Sequence, residues 1–311
     1  MSKSEKSPKT DGQFRGMMPI MPTAILSDGR LDETSQRRVV RYCLACGAVA
    51  IGHFGIASEF HKVSDGDRSR LIELILREVD DRVPVFIGVT SPGVGISLDY
   101  AREAERLGAQ MIMAALPTGA NLDAERAFAF YAALCEATSL PVIVQDTPAT
   151  SGTLTAELLC RMHAEIDGVQ HVKAEGRAFL EKAASILRLS EGRVSVIGGA
   201  GGRHLIHLLK LGVTAFMTGT EALDLHGACV RAFLDGDEAG AAETYFGRIL
   251  PYLDFYLEYP EELLKRMLFE RGILDCAKVI EPAASAPVSE TEWLALERVL
   301  ERTGLRTPWK G

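Results

Sequence analysis

The segment Val169-Gln170-His171-Val172-Lys173-Ala174-Glu175 sets a lysine and a glutamate into an apolar run that reads as a strand. Lysine is rarely buried without cause, and alternation of side chains puts every second strand residue on one face. His171, Lys173 and Glu175 therefore share a face, provided the strand stays regular to Glu175. Removing a lysine from water favours its uncharged form, and the neutral amine is the nucleophile that condenses with a carbonyl carbon. Spacing alone leaves a second reading equally open, in which Lys173 and Glu175 are an ion pair at the strand mouth.

Other chemistry-bearing residues weigh less. Cys43 and Cys46 have redox or zinc spacing, but Cys43 falls in a helical pattern and no second pair exists, so the six cysteines read as reduced packing residues. Gly198-Gly199-Ala200-Gly201-Gly202 lies between a strand and a helix, yet His204 spoils the spacing of a dinucleotide fingerprint. That run instead allows close backbone approach to a substrate. His53 and His61 flank the loop Gly55-Ile56-Ala57-Ser58-Glu59, within reach of substrate but without the carboxylates of a metal site, so no metal is expected. Glu59 suits substrate binding, capping or pairing with Arg68. His163, His204, His207 and His226 read as helix or surface residues, and Met111 and Met113 as barrel core.

These residues need elements to hold them. Near-continuous apolar runs, the pattern of parallel strands buried on both faces, occur at Met17–Pro22, Ala48–Phe54, Pro84–Thr90, Gln110–Leu116, Pro141–Asp146, Val169–Lys173, Arg193–Gly198 and Val213–Thr218. Amphipathic helices alternate with them, such as Arg68–Val79 and Leu98–Leu107 with Gly108 as its C-cap. Eight strands alternating with helices predict an α/β fold, a (β/α)8 TIM barrel over 14–220. A doubly wound sheet would carry an early glycine-rich loop, whereas the first strand here runs into Thr23-Ala24-Ile25. Beyond 221 no strand run stands out. Leu223–Leu234, Ala239–Leu257 with a kink at Pro251, and Glu292–Leu300 predict a C-terminal helical extension to 311. Residues 1–13 carry Lys3, Lys6 and Lys9 with no apolar stretch behind them, and read as a disordered tail. In such barrels chemistry sits at the C-terminal strand ends, where Lys173 and Glu175 fall.

Composition narrows the partner. The 311 residues hold 34 Lys+Arg against 42 Asp+Glu, a formal charge of −8, which disfavours nucleic-acid and anionic-membrane surfaces. The longest uncharged run, between Arg41 and Glu59, is too short and too glycine-rich to span a bilayer. A cytoplasmic protein acting on a small molecule is expected, with no nucleic-acid or membrane partner.

The ordered set now resembles a known family. The eight-strand plan, Lys173 ending strand six, the Gly55-x-x-x-Glu59 loop, the Pro148-x-x-x-Gly152 segment, Gly198-Gly199 after strand seven and Leu211-Gly212 before strand eight are similar to the dihydrodipicolinate synthase/N-acetylneuraminate lyase family over roughly residues 14–305. The resemblance implies that Lys173 forms a Schiff base with the ketone of a 2-oxo acid, with neither metal nor cofactor. It implies that the substrate carboxylate rests on the Ala57 and Ser58 amides and the Ser58 hydroxyl. Gln145, Gly198, Gly199 and Met217 follow as further substrate-binding positions, and a homo-oligomer, a dimer or tetramer, as the assembly.

The departures from the family pattern carry information. Ile56 and Ala57 replace its loop threonines, Gln145 its strand-five tyrosine, Thr118 its tyrosine after Pro117, and Thr150 its arginine for a second carboxylate. The tyrosine–threonine–tyrosine proton relay is absent, so dihydrodipicolinate synthesis is not expected. Gln145-Asp146-x-Pro148 with Lys173-x-Glu175 resembles the L-2-keto-3-deoxyarabonate dehydratase branch, although that branch keeps an aromatic where Thr118 stands. The implied reaction is dehydration of a 3-deoxy-2-oxo sugar acid to a semialdehyde, with Glu175 as acid and base. A pyruvate-releasing aldolase and a non-catalytic barrel that binds 2-oxo acids are the alternatives.

Overall fold

A computed structural model describes residues 14–117, 119, 122–147, 154–175, 178–283 and 286–310. The tail 1–13, Thr118, Pro148, Thr150 and Gly152 lie outside the described residues. Eight parallel strands run in the order β1-β8-β7-β6-β5-β4-β3-β2. They are β1 (Gly16–Met17), β2 (Ile51–His53), β3 (Val85–Gly88), β4 (Met111–Ala114), β5 (Val142–Asp146), β6 (Val169–Ala174), β7 (Ser195–Gly198) and β8 (Ala215–Phe216). The sheet closes between its two ends, where Ile20 bridges Gly52 and the Gly52 amide donates to the Pro19 carbonyl at 2.9 Å. The architecture is a (β/α)8 barrel; six of the eight strands fall inside the runs read from sequence, and β1 and β6 each overrun theirs by one residue.

Seven helices link the strands: α1 (Glu33–Ala45), α2 (Asp65–Val79), α3 (Val94–Leu107), α4 (Ala124–Ala137), α5 (Ala156–Glu165), α6 (Phe179–Leu189) and α7 (Leu205–Lys210). Their starts carry the expected caps: the side chains of Asp32, Ser64, Asp123 and Thr155 each accept a first-turn amide. Then follow α8 (Leu223–Leu234), α9 (Glu238–Thr244), α10 (Leu250–Glu258), α11 (Pro260–Glu270) and α12 (Glu290–Thr303). Helix α8 packs against β1, so it covers the barrel as the seven linking helices do. The irregularity expected at Pro251 lies one turn earlier. At Tyr245–Ile249 the helix widens, and the Leu250 amide reaches back five residues to the Tyr245 carbonyl.

Alternation along each strand divides the apolar residues into two cores. Met18, Ile20, Ala50, Phe86, Met111, Met113, Ile143, Ile197, Ala215 and Met217 fill the barrel interior. Their neighbours, such as Ile51, Val142, Val144, Val172 and Phe216, join a larger core under the helices. Gly52 is required inside the barrel because a Cβ there would overlap the Phe86 ring.

Candidate active site

The parity of β6 holds to its end. Val172 and Ala174 face the helices, and Lys173 and Glu175 face the barrel mouth. Lys173 Nζ lies 3.1 Å from Glu175 Oε2, with the two side chains 7% and 12% exposed. Gln145, which pairs with Lys173 in the β5–β6 register, donates its Nε2 to the same Oε2 at 2.8 Å. The other carboxylate oxygen accepts the Ala200 amide at 2.9 Å, and the Glu175 amide donates to the Asp146 carbonyl at 3.0 Å. Glu175 is thus held by three strands' ends at once, with one oxygen shared between an ammonium and a carboxamide. The ion-pair reading is observed, at the strand end where the other reading places a nucleophile.

Asp146 points the other way. It sits under α6, where Lys182 Nζ donates to its Oδ2 at 2.6 Å. Burial pushes its carboxyl above the ordinary value, opposed by that lysine. Its contribution to the mouth is the carbonyl that fixes Glu175.

The glycine run makes room for neighbouring side chains. Gly198 faces outward, where a Cβ would lie 2.6 Å from Phe216 and 2.9 Å from Leu208. Gly199 faces the mouth, but the space of its missing side chain is filled by Glu175, whose Cδ would lie 2.8 Å away. The backbone groups are also engaged: the Gly199 amide donates to Ala174 and the Gly198 carbonyl accepts from Met217. These glycines let side chains approach; the Met217 side chain is interior core beneath the mouth.

The loop after β2 is a tight turn with its own bonds. The Ser58 amide donates to the Gly55 carbonyl at 2.9 Å, and its hydroxyl donates to the Met21 carbonyl at 2.6 Å. Ser58 thus orders the loop, and its hydroxyl proton is not directed to a carboxylate. Ala57 packs against the interior core, and Ile56 is exposed.

Glu59 does not pair with Arg68. Its carboxylate meets Lys265 of α11 and Lys62 (3.1 Å), and Lys62 in turn meets Glu261 at 3.2 Å. Arg68 instead lies between the Phe54 and Tyr100 rings and donates to the Gly88 carbonyl at 2.7 Å. The Glu261–Lys265 spacing of one helical turn was the available sequence signal for this cluster.

Of the histidines, His204 and His207 lie together, their ring centroids 5.7 Å apart. His53 has the parity of Ile51 and so faces the outer core, where burial lowers its pKa to about 3. His61 is exposed against Phe60. His226 lies in α8, the helical alternative of its sequence reading, and is fully buried there. Among the described residues no group of three or more His, Cys, Asp or Glu side chains is arranged to hold a metal ion. No helix among them is long and apolar enough to cross a membrane.

The buried lysine–carboxylate pair thus lies at the C-terminal ends of the strands of a closed parallel barrel, the end at which such barrels carry their active sites. The chain matches the Dihydrodipicolinate synthetase family over residues 13–303, and it belongs to that family. It is 29% identical over 305 residues to an L-2-keto-3-deoxyarabonate dehydratase of Azospirillum brasilense, covering 94% of this chain and 97% of the relative. It is 27% identical over 235 residues to an Escherichia coli (strain K12) protein named probable 2-dehydro-3-deoxy-D-pentonate aldolase, covering 74% and 78%. The dihydrodipicolinate synthase structure from Thermotoga maritima superposes with a TM-score of 0.86 at 23% identity, covering 94% of this chain and 100% of that one.

Proposed function

We propose that the chain is a Schiff-base lyase that dehydrates a 3-deoxy-2-oxo sugar acid of the 2-keto-3-deoxyarabonate kind to a semialdehyde. The observation that carries this reading is the Glu175 carboxylate fixed by Ala200 and Gln145 at 3.1 Å from Lys173. A proton passed from Lys173 to Glu175 frees the amine, which attacks the C2 ketone and loses water to form the iminium. The iminium acidifies C3, Glu175 takes the C3 proton, and the enamine then expels the C4 hydroxyl as it is protonated. Gln145 holds the carbinolamine or a substrate hydroxyl. The substrate carboxylate rests on the loop of residues 55–58 at the Ala57 amide, with Ser58 shaping that loop. The reaction is assigned no metal or cofactor.

The E. coli relative's name favours one rival, an aldolase that shares the imine and releases pyruvate. Borohydride with pyruvate should leave a stable adduct on Lys173, and its absence would end both enzymatic readings. Coupling turnover to lactate dehydrogenase then separates them, because pyruvate appearing in step with substrate loss would overturn dehydration. Six free cysteines support a reducing, cytoplasmic setting. Exposed Ile56, Val94 and Ile96, on the loops and helix start beyond β2 and β3, support a homo-oligomer, which light scattering would size.

A further inference from the structure

Loss of the C3 proton and the C4 hydroxyl accounts for the water but not for the aldehyde. In a five-carbon acid the resulting iminium, N=C2–C3=C4–C5, still carries an alcohol at C5. Reaching the semialdehyde requires C5–H to leave as a proton, giving N–C2=C3–C4=C5–OH. One proton then returns to C3, and the enol takes another at C4 as its hydroxyl proton departs. No oxidant is needed, but a proton-transfer group must reach a carbon two bonds beyond the one Glu175 serves.

The β8 side of the mouth holds one. Glu221 is 1% exposed, and its Oε2 has no hydrogen-bond partner. A Cβ on Gly219 would overlap that oxygen and lie 2.8 Å from the Tyr256 hydroxyl, so the two groups face each other over a glycine. Tyr256 comes from α10, and its ring abuts Gly201, where a Cβ would lie 3.0 Å from Cε1. The preceding residue, Ala200, gives the amide that anchors Glu175. Glu175, Ala200, Gly201, Tyr256 and Glu221 thus form a continuous arc from the lysine to the distal side. An unpartnered buried carboxyl oxygen costs stability, so its presence asks for a ligand or a proton.

We propose that Glu221, acting together with Tyr256, is a second proton-transfer group that serves the substrate carbon distal to the imine. The proposal rests on the dehydratase reading above. Burial raises the Glu221 carboxyl to about 7, against the opposing Arg271, so it both takes and gives a proton near neutrality. Tyr256 is pushed well above the ordinary phenol by burial, with Glu221 and Glu175 nearby, and so keeps its proton.

The test compares wild type, Glu221→Gln and Tyr256→Phe with pyruvate and with a 3-deoxy-2-oxo pentonate. Glu221→Gln should leave borohydride trapping and deuterium exchange at the pyruvate methyl unchanged, while semialdehyde formation falls about 100-fold. Tyr256→Phe should lose about tenfold. With the C5-deuterated substrate, Glu221→Gln should show a larger kinetic isotope effect than wild type, which a structural role would not produce. Wild-type semialdehyde rates in Glu221→Gln, an unchanged isotope effect, or loss of trapping in that variant would each overturn the proposal. A wild type that forms the adduct yet releases pyruvate and no semialdehyde overturns the dehydratase reading itself, and the need for a second base goes with it.

Discussion

His171 and Lys173 occupy one face of β6, one pleat apart, in opposite surroundings. His171 lies on the barrel floor, 3% exposed, with its ring against Phe14 and both nitrogens unpartnered. Burial lowers it to about 4, so it is a neutral space-filler at physiological pH. Lys173, nearer the mouth, meets a carboxylate that is itself tied to two other strands' ends. Depth differs little between the two positions, but the supply of partners differs completely. On this face of β6 only Lys173 has a partner with which it could exchange a proton.

Lys173→Ala should have the largest effect on that contrast: adduct formation with pyruvate vanishes by mass spectrometry, and turnover falls by at least about 10³-fold. Glu175→Gln follows, with trapping retained and turnover reduced by about 10²–10⁴-fold. A fully active Glu175→Gln would remove the distinction between mouth and floor. Gly199→Ala is the gentler probe, since its methyl would push against Glu175 and shift the carboxylate. A loss of about tenfold to 100-fold in kcat with little change in Tm is expected.

The floor should answer to pH instead. His171 ionises at about 4 when folded and near 6.5 when unfolded, so the unfolded chain binds the extra proton between those values. Its contribution to stability is complete above about 6.5 and is lost as pH falls towards about 4. His53 and His226, lowered to about 3 and about 4 by burial, act in the same direction. His171→Leu should flatten the acid limb of a Tm-versus-pH curve by on the order of 1–3 kcal/mol while leaving turnover within about twofold. An unchanged acid limb would show that the histidine is not buried neutral.

The strands were legible because parallel strands covered on both faces cannot alternate, and their apolar runs stand out. Lys173 and Glu175 were legible for the converse reason, as charges interrupting such a run. What escaped depends on contacts between distant segments. Nothing local in Gly198–Gly202 says that its missing side chains are replaced by Glu175 and the Tyr256 ring, the latter from α10. The Ser58 hydroxyl looked available because its acceptor, Met21, lies 37 residues away. The contact of α8 with β1 likewise joins segments roughly 200 residues apart and leaves no local mark.

The quartet of Glu59, Lys62, Glu261 and Lys265 has a bearing on how the gene can be cut. Two of its charges come from the loop beside the mouth and two from α11, and the carboxylate of Glu59 also accepts the Ile280 amide. A chain ended before residue 260 would remove one anion and one cation together, leaving the count of charge neutral. It would still leave Glu59 and Lys62 without Lys265 and Glu261, and it would strip the buried Leu263, Leu264, Met267 and Leu268 from the core. Trimming the tail of this protein is therefore equivalent to mutating its entrance, and a minimal barrel would need the loop redesigned before the helix could be discarded.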